Sequence, residues 1–340
     1  MKILVTGIAG FIGFFLTKRL LKTQHEIIGV DNINDYYDPL LKLGRLKELG
    51  FDTENIEYDK KIQSRVYKNL YFIKLNVEDR KTVNTLFDQH NFDYIFHLAA
   101  QAGVRYSIEN PYVYIDSNIQ GFINILEGVR KGKTKHLIYA SSSSVYGANK
   151  KLPFSEADRT DHPISLYAAT KRANELMAYN YSYLFNIPAT GLRFFTVYGP
   201  FGRPDMAYFK FTHSIFENKA IDVYNYGNMK RDFTYIDDIV EGLVRIMYKI
   251  PAHNVSQPPH RIFNIGNNNP VDLMYFISLL EKYIGKKAKI NLLPLQPGDL
   301  IETFADISLL EKEIGFRPVT SIEEGLESFV DWYKSWFYKV

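Results

Sequence analysis

The 340-residue sequence contains no cysteine, which excludes disulfides, thiolate nucleophiles and cysteine-ligated metals outright. Its eight histidines show no H-x-x-x-H or comparable spacing, so no protein-held metal is expected. Charge of one sign is also scarce. The 41 basic and 38 acidic residues leave a net charge of +3, with no long block of like charges. Neither nucleic acid nor an anionic membrane is therefore expected as the main partner. Long apolar runs are missing too. The stretch after Met1-Lys2 is apolar as far as Leu16, but Gly7, Gly10 and Gly13 interrupt it and Lys18-Arg19 end it. No small-residue cleavage site follows, so the stretch reads as part of the fold and not as a secretory signal. Nothing else approaches the ~18 apolar residues of a membrane span. The expectation is a soluble cytoplasmic protein. Aromatic residues, by contrast, are plentiful at 15% and spread along the chain, as core and pocket lining would be.

Strands and helices alternate from the first residue. Lys2–Thr6, Glu26–Val30, Tyr71–Leu75, Tyr94–His97, His136–Ala140 and Ala189–Phe194 are short apolar runs. Amphipathic stretches separate several of them, around Arg80–Gln89, Tyr112–Arg130 and Leu166–Phe185. Continuous apolar strands alternating with helices predict an α/β fold with a doubly wound, parallel, Rossmann-like sheet. Asp35–Asn69 is charged, Tyr-rich and without a buried-strand pattern, as an excursion over a site would be. Beyond Phe194 the alternation becomes irregular. The expected division is a first domain of residues 1–195, with 233–264 returning to it, and a smaller α+β substrate domain of residues 196–232 and 265–340.

Thr6-Gly7-Ile8-Ala9-Gly10-Phe11-Ile12-Gly13 places three glycines between the first strand and the first helix, spaced G-x-x-G-x-x-G. The first allows a tight turn, the second lets backbone N–H groups approach a pyrophosphate, and the third allows close helix–sheet packing. Phe11 and Ile12 suit packing, and their backbone also lines such a pocket. Asp31 ends the second strand, 18 positions after Gly13, with Asn32 beside it. A carboxylate there accepts hydrogen bonds from both ribose hydroxyls and repels a 2′-phosphate, which favours NAD over NADP. A plain helix–strand packing turn is the alternative.

Tyr167-Ala168-Ala169-Thr170-Lys171 puts a phenol and an ammonium on one helical face. The ammonium stabilises phenolate, so Tyr167 can act as a general base at neutral pH. The spacing alone also fits a solvated helix face. Three strand ends give it context: Ser141–Gly147 with four consecutive serines, His97-Leu98-Ala99-Ala100 with small residues, and Arg193–Pro200. Strand ends of this kind face the ligand crevice of a doubly wound sheet.

In these landmarks, together with Phe194–Met206 and Arg231–Asp238, nearly the whole chain resembles the extended short-chain dehydrogenase/reductase family and, within it, the UDP-glucuronate 4-epimerases. The resemblance implies roles by position. Ser142 matches the catalytic hydroxyl, Tyr167 the base, and Lys171 the lysine that also holds the nicotinamide ribose. Asn118 looks like the family's helix asparagine. Asn76-Val77 stands at the adenine, where the family usually has Asp before an apolar residue. Leu98, Ala99 and Ala100 line the cofactor. Arg231 resembles the arginine that clamps the substrate pyrophosphate, though an ordinary surface arginine is the alternative. Val223, Tyr224, Gln296 and Asp299 resemble nucleotide-binding positions, with Gln296 where many relatives carry a second arginine. Two helices in relatives form a homodimer; the matching ones here are Tyr112–Arg130 and Leu166–Phe185, whose apolar faces equally suit a monomer core.

The family's shared first step moves hydride from carbon 4 of a UDP-sugar to NAD while the base takes the hydroxyl proton. Dehydratase relatives carry Asp-Glu where this chain has Ser143-Ser144, and decarboxylase relatives carry Glu at the Ser144 position. The resemblance therefore implies an isomerase that inverts carbon 4, interconverting UDP-glucuronate and UDP-galacturonate, within polysaccharide biosynthesis. A 4-keto glucuronate is a β-keto acid that loses CO2 when the breaking bond aligns with the carbonyl π system. An epimerase must hold that carboxylate out of alignment. Ser143, Ser144, Thr196 and Arg203 are assigned this anchor by resemblance, and Arg105 is a second substrate contact. Galactose-type epimerases usually have Asn at the Thr196 position. For Arg203 the alternative is a structural salt bridge. A neutral or N-acetylated UDP-hexose epimerase and a decarboxylase-type relative remain the other readings.

Overall fold

A computed structural model describes residues 1–253, 257–296 and 300–338. In chain order the elements begin with β1 (Lys2–Thr6), α1 (Phe11–Leu20), β2 (Glu26–Asp31), α2 (Pro39–Glu48), β3 (Lys61–Gln63), β4 (Leu70–Lys74), α3 (Arg80–Gln89) and β5 (Tyr94–His97). Next come α4 (Tyr106–Glu109), α5 (Tyr112–Tyr114), α6 (Gly121–Lys131), β6 (His136–Ser142), α7 (Leu166–Phe185), β7 (Ala189–Phe194), β8 (Thr196–Tyr198) and α8 (Ala207–Phe216). The chain continues through β9 (Ala220–Val223), β10 (Lys230–Tyr235), α9 (Ile236–Tyr248), β11 (His260–Ile265), β12 (Pro270–Asp272), α10 (Leu273–Ile284) and β13 (Lys289–Leu292), then α11 (Ser308–Ile314) and α12 (Ile322–Tyr333).

Two compact units emerge. One comprises Met1–Asn149, Arg159–Arg193 and Val240–Phe263; the other comprises Lys150–Asp158, Phe194–Ile239 and Asn264–Val340. The division differs from the expected one over residues 150–158, 194–195 and 233–239 and at Asn264, all of which fall in the second unit. Lys150–Asp158 joins the second unit because Phe154 bridges Ala305 and donates its N–H to the Phe304 carbonyl at 2.8 Å. Residues 233–239 stay there, beginning with the part of β10 that pairs with β8.

The main sheet has eight strands in the order β11-β7-β6-β5-β1-β2-β4-β3. Parallel pairing joins β1 to β2 and β5, β2 to β4, and β5 to β6, while β3 adds an antiparallel edge to β4. Leu4, Ile28, Ile95 and Leu137 on neighbouring strands, with Phe122 and Leu126 of α6, are all 0% exposed. Burial on both faces is why these strands read as unbroken apolar runs. The chain adds strands on one side of β1, then crosses to the other at β5. This reversal opens a ligand crevice at the C-terminal ends of β1 and β5.

One helical expectation is corrected. Tyr112–Arg130 is not one amphipathic helix: α5 widens into a π-helical turn over Ile115–Gln120 before α6 begins. A side chain inserts there, since the Asn118 carbonyl accepts the Asn174 Nδ2–H at 2.6 Å. The Asp35–Asn69 excursion contains α2. Asp38 caps it by accepting from the Leu40 N–H at 2.9 Å, and Pro39 occupies its first turn.

In the second unit, β12-β10-β8 form a three-stranded sheet and β13-β9 a parallel pair. Phe233 of β10 stacks on Phe276 of α10, with centroids 4.6 Å apart. Asp232 beside it is 0% exposed and accepts backbone N–H bonds from Asn267, Asn268 and Ala305 at 2.7–3.1 Å. Burial raises its carboxyl to about 6, against the opposing pull of these donors.

Candidate functional site

The glycine turn sits where the sheet reverses. Gly7 has φ +77, and a Cβ there would lie 2.9 Å from the Ala99 nitrogen, so β1 and the segment after β5 approach at van der Waals limit. A Cβ on Gly13 would fall 2.2 Å from the Gly7 carbonyl. No residue but glycine fits either position. Gly10 caps α1 without a side-chain bond, and no acidic residue occupies the first turn. Helix N–H groups there are arranged for an anion. Phe11 is buried and Ile12 half-buried.

Asp31, 9% exposed at the end of β2, accepts from the Ala9 N–H at 3.1 Å and the Ile33 N–H at 2.9 Å. Asn32 accepts from the Asn34 N–H at 3.1 Å. Two cations that sequence reasoning missed support this corner. Arg45 is fully buried and donates to the Ala9 carbonyl at 2.7 Å and the Tyr37 hydroxyl at 2.8 Å. Lys42 donates to the Asn34 carbonyl at 2.8 Å. Nothing in a charged, Tyr-rich segment marks these two as buried.

After β5, the Leu98 N–H donates to the Thr6 carbonyl at 3.2 Å and the Ala99 N–H to Thr6 Oγ1 at 3.1 Å; Ala100 is half-buried. Thr6 Oγ1 also meets His97 Nδ1 at 2.9 Å. Burial, reinforced by the charge of Lys171, lowers His97 to about 3, so its ring is neutral. Asn76 is half-buried and Val77 buried, with the Val77 carbonyl accepting from Asn124 Nδ2 at 3.0 Å. The narrow glycine turn, uncapped helix and terminal carboxylate together fit a dinucleotide.

Ser165 caps α7 through the Ala168 N–H at 3.1 Å and so fixes Tyr167 in the first turn, half-buried and edge-on to Tyr114 at 6.2 Å. Lys171, 3% exposed, donates to the Ala140 carbonyl of β6 at 3.0 Å. Burial lowers its ammonium to about 7. Asn118, 1% exposed, exchanges bonds with Gln101, accepting from its N–H at 2.8 Å and donating to its carbonyl at 3.0 Å. Its Nδ2 also donates to Thr170 Oγ1 at 3.1 Å.

Glu175 was missed as well. It accepts from Arg193 through two bonds of 2.8 and 2.9 Å, from Arg172 at 3.0 Å and from Ser141 at 2.7 Å. Burial raises its carboxyl, but these partners outweigh that and hold it below the ordinary range. Helical spacing alone could have found both Asn174 and Glu175, which follow Tyr167 and Lys171 on the same face.

Ser142 ends β6. Its hydroxyl donates to Ser144 Oγ at 3.1 Å and accepts from the Ser144 N–H at 3.1 Å, capping a 3₁₀ turn that carries half-buried Ser143 and Ser144. Arg105 is exposed at the start of α4.

The other expected substrate residues belong to the second unit. Thr196 begins β8, half-buried opposite Phe233. Arg203 forks onto Asp205 through bonds of 3.0 and 2.6 Å, so the salt bridge left open by its sequence is present. Val223 ends β9 buried, and Tyr224 opens the following turn. Arg231 donates to the Lys230 and Ile301 carbonyls at 2.8 and 3.0 Å and to that of Leu300 at 2.7 Å. Gln296 is half-buried; Asp299 lies outside the described residues.

Residues 3–266 match the NAD dependent epimerase/dehydratase family. A probable UDP-glucuronate 4-epimerase of Rhizobium meliloti is 46% identical over 345 residues, covering 98% of this chain and 97% of that protein. UDP-glucuronate 4-epimerase 1 of Arabidopsis thaliana is 43% identical, covering 99% of this chain and 77% of its own length. Among solved structures, the UDP-glucuronic acid 4-epimerase of Bacillus cereus in complex with UDP-glucuronic acid and NAD superposes with a TM-score of 0.86 at 33% identity. That match covers 99% of this chain and 100% of the other.

Proposed function

Because the chain belongs to the NAD dependent epimerase/dehydratase family, we infer that it is an NAD-dependent UDP-sugar 4-epimerase, an isomerase, and that its substrate is UDP-glucuronate. One observation carries the chemistry: a lysine buried against the Ala140 carbonyl, one helical turn after a tyrosine in the first turn of α7. When bound, NAD would supply the hydride acceptor, and then the hydride donor, that inversion at carbon 4 of the sugar requires. Tyr167 takes the carbon-4 hydroxyl proton as the ketone forms and gives it back after the ketone has turned over. Lys171 stabilises the phenolate that Tyr167 becomes, and Ser142 orients the hydroxyl. Gly7, Gly10 and Gly13 would hold the pyrophosphate of the cofactor at α1, and Asp31 would hold its adenosine ribose.

The acid sugar is favoured by the residues assigned to its carboxylate. Ser143, Ser144 and Thr196 offer hydroxyls, and Arg203 a guanidinium fixed in plane by Asp205. With carbon 6 held out of line with the carbon-4 carbonyl, the product is UDP-galacturonate and not a UDP-pentose. Tyr167→Phe is expected to lower kcat by about 10²–10⁴-fold and to leave NAD-induced thermal stabilisation in place. Full activity in that variant removes Tyr167 from the mechanism.

A homodimer is supported by apolar side chains standing in solvent along the two helical segments: Tyr112 is 78% exposed, Leu176 55% and Tyr183 69%. Light scattering should report twice the 39.5 kDa chain mass, falling to one for Leu176→Lys.

A further inference from the structure

Arg203 sits in a turn that holds an unfavourable backbone. Phe201, two residues before it, has φ +53, a left-handed conformation that a phenylalanine adopts only when its surroundings impose it. Its ring is what they hold. The centroid lies 4.9 Å from Trp332 at the end of α12 and 4.8 Å from Trp336, which follows in a π-helical turn over Lys334–Tyr338. The two indoles stack on each other at 6.1 Å. The Trp332 indole N–H is buried without an acceptor, so packing and no hydrogen bond fixes that ring. The next residue is fixed from the other side. A Cβ on Gly202 would fall 2.0 Å from the Tyr208 hydroxyl, and that same hydroxyl accepts the Arg203 N–H at 3.0 Å.

We propose that Trp332 and Trp336 form an aromatic clamp that, through Phe201, sets the pose of Arg203 and so makes the enzyme selective for an acid sugar. Trp336 is a positioning residue here: it acts on the Arg203 backbone and not on the substrate. The inference rests on the reading of Arg203 as a carboxylate anchor. If the clamp loosens, the carboxylate of the 4-keto sugar reaches alignment with the carbonyl. The carbon 5–carbon 6 bond then breaks, its electron pair forms the enolate across carbons 4 and 5, and CO2 leaves. Protonation at carbon 5 gives a 4-keto pentose. No outside oxidant is needed.

The test uses Trp336→Ala, Trp336→Phe and Arg203→Ala in the full-length enzyme, each checked for an unchanged NAD-induced thermal shift. Binding of UDP-glucuronate and UDP-glucose is measured by calorimetry, and products of UDP-glucuronate by mass spectrometry. For Trp336→Ala the expected result is a loss of about tenfold in UDP-glucuronate affinity. UDP-glucose affinity should stay within about twofold, and a UDP-pentose fraction should appear. Trp336→Phe should restore both. The chain's two tryptophans are both in the clamp, so wild-type emission should change on adding UDP-glucuronate and not UDP-glucose. Equal loss for both sugars, or no loss and no pentose, overturns the clamp while Arg203→Ala still shifts the ratio. An Arg203→Ala protein with unchanged sugar preference overturns the anchor reading and the clamp with it.

Discussion

The two units place their key side chains by different physics. In the first, the reacting groups stand on regular elements and are tied by charge: Lys171 to the Ala140 carbonyl, and Glu175 to Arg193 and Ser141 at 2.7–2.9 Å, all within one turn of α7 and the ends of β6 and β7. In the second, the buried carboxylate of Asp232 accepts, among the described residues, from backbone N–H groups, and the Arg203 turn is held by aromatic rings. Proton transfer needs a defined electrostatic field, which buried ion pairs supply steeply with distance. Recognition of one sugar over another needs shape, which packing supplies and a loop can vary.

Paired substitutions at the two buried carboxylates sharpen this contrast. Glu175→Gln leaves the Arg193 guanidinium without its counter-charge in a site that is 2% exposed, an uncompensated buried charge that costs about 3–5 kcal/mol. Asp232→Asn keeps one acceptor oxygen but turns an NH2 toward backbone donors, leaving at least one N–H unsatisfied, for about 1–3 kcal/mol. Urea unfolding separates the two, because both tryptophans lie in the second unit. Tryptophan emission should report the Asp232→Asn loss, and far-UV circular dichroism with tyrosine emission the Glu175→Gln loss. If Glu175→Gln costs no more than Asp232→Asn, charge pairing is not what distinguishes the first unit.

The same contrast decides what the sequence makes legible. The expected helices Arg80–Gln89 and Leu166–Phe185 have those bounds in the structure, because Asp79 and Ser165 cap their starts and Asn186 ends the second in a left-handed conformation. Gly7, Gly13, Tyr167 and Lys171 are legible because one periodicity or one close approach dictates each. The helix expected over Tyr112–Arg130 fails at Asn118, where a bond from Asn174, 56 residues away, opens the ladder. No window around Asn118 contains that partner. Lys42 and Arg45 fail in a related way, since burial of a charge leaves no mark on local composition. Phe201 is hidden for a third reason: its strained backbone is sustained by rings more than 130 residues along the chain, and a Gly-Pro-Phe-Gly turn announces only a turn.

The smallest effect tests the electrostatic side most directly. An unfolded lysine holds its proton to the ordinary value of 10.5, whereas burial releases the Lys171 proton at about 7. Between these values the unfolded chain binds more protons than the folded one, so stability rises with pH across that window. Below pH 7 both states are protonated and the full penalty of a buried ammonium is present; above 10.5 both are neutral and the slope ends. Nucleotide-free protein should therefore gain about 1 kcal/mol between pH 7 and 8. Neither neighbour titrates there, since burial holds His97 near 3 and Glu175 sits below the ordinary carboxylate range. Lys171→Met keeps the length of the side chain without its charge, and should be more stable than the parent at pH 7 and flat from 7 to 8. The second unit, read by tryptophan emission, should show no such slope, because the Asp232 carboxyl has already ionised above about 6. A parent protein whose stability is flat or falls from pH 7 to 8, or an unchanged slope in Lys171→Met, shows that the ammonium is not desolvated. The phenol of Tyr167 would then face an ordinary solvated lysine, with less power to lower its proton affinity.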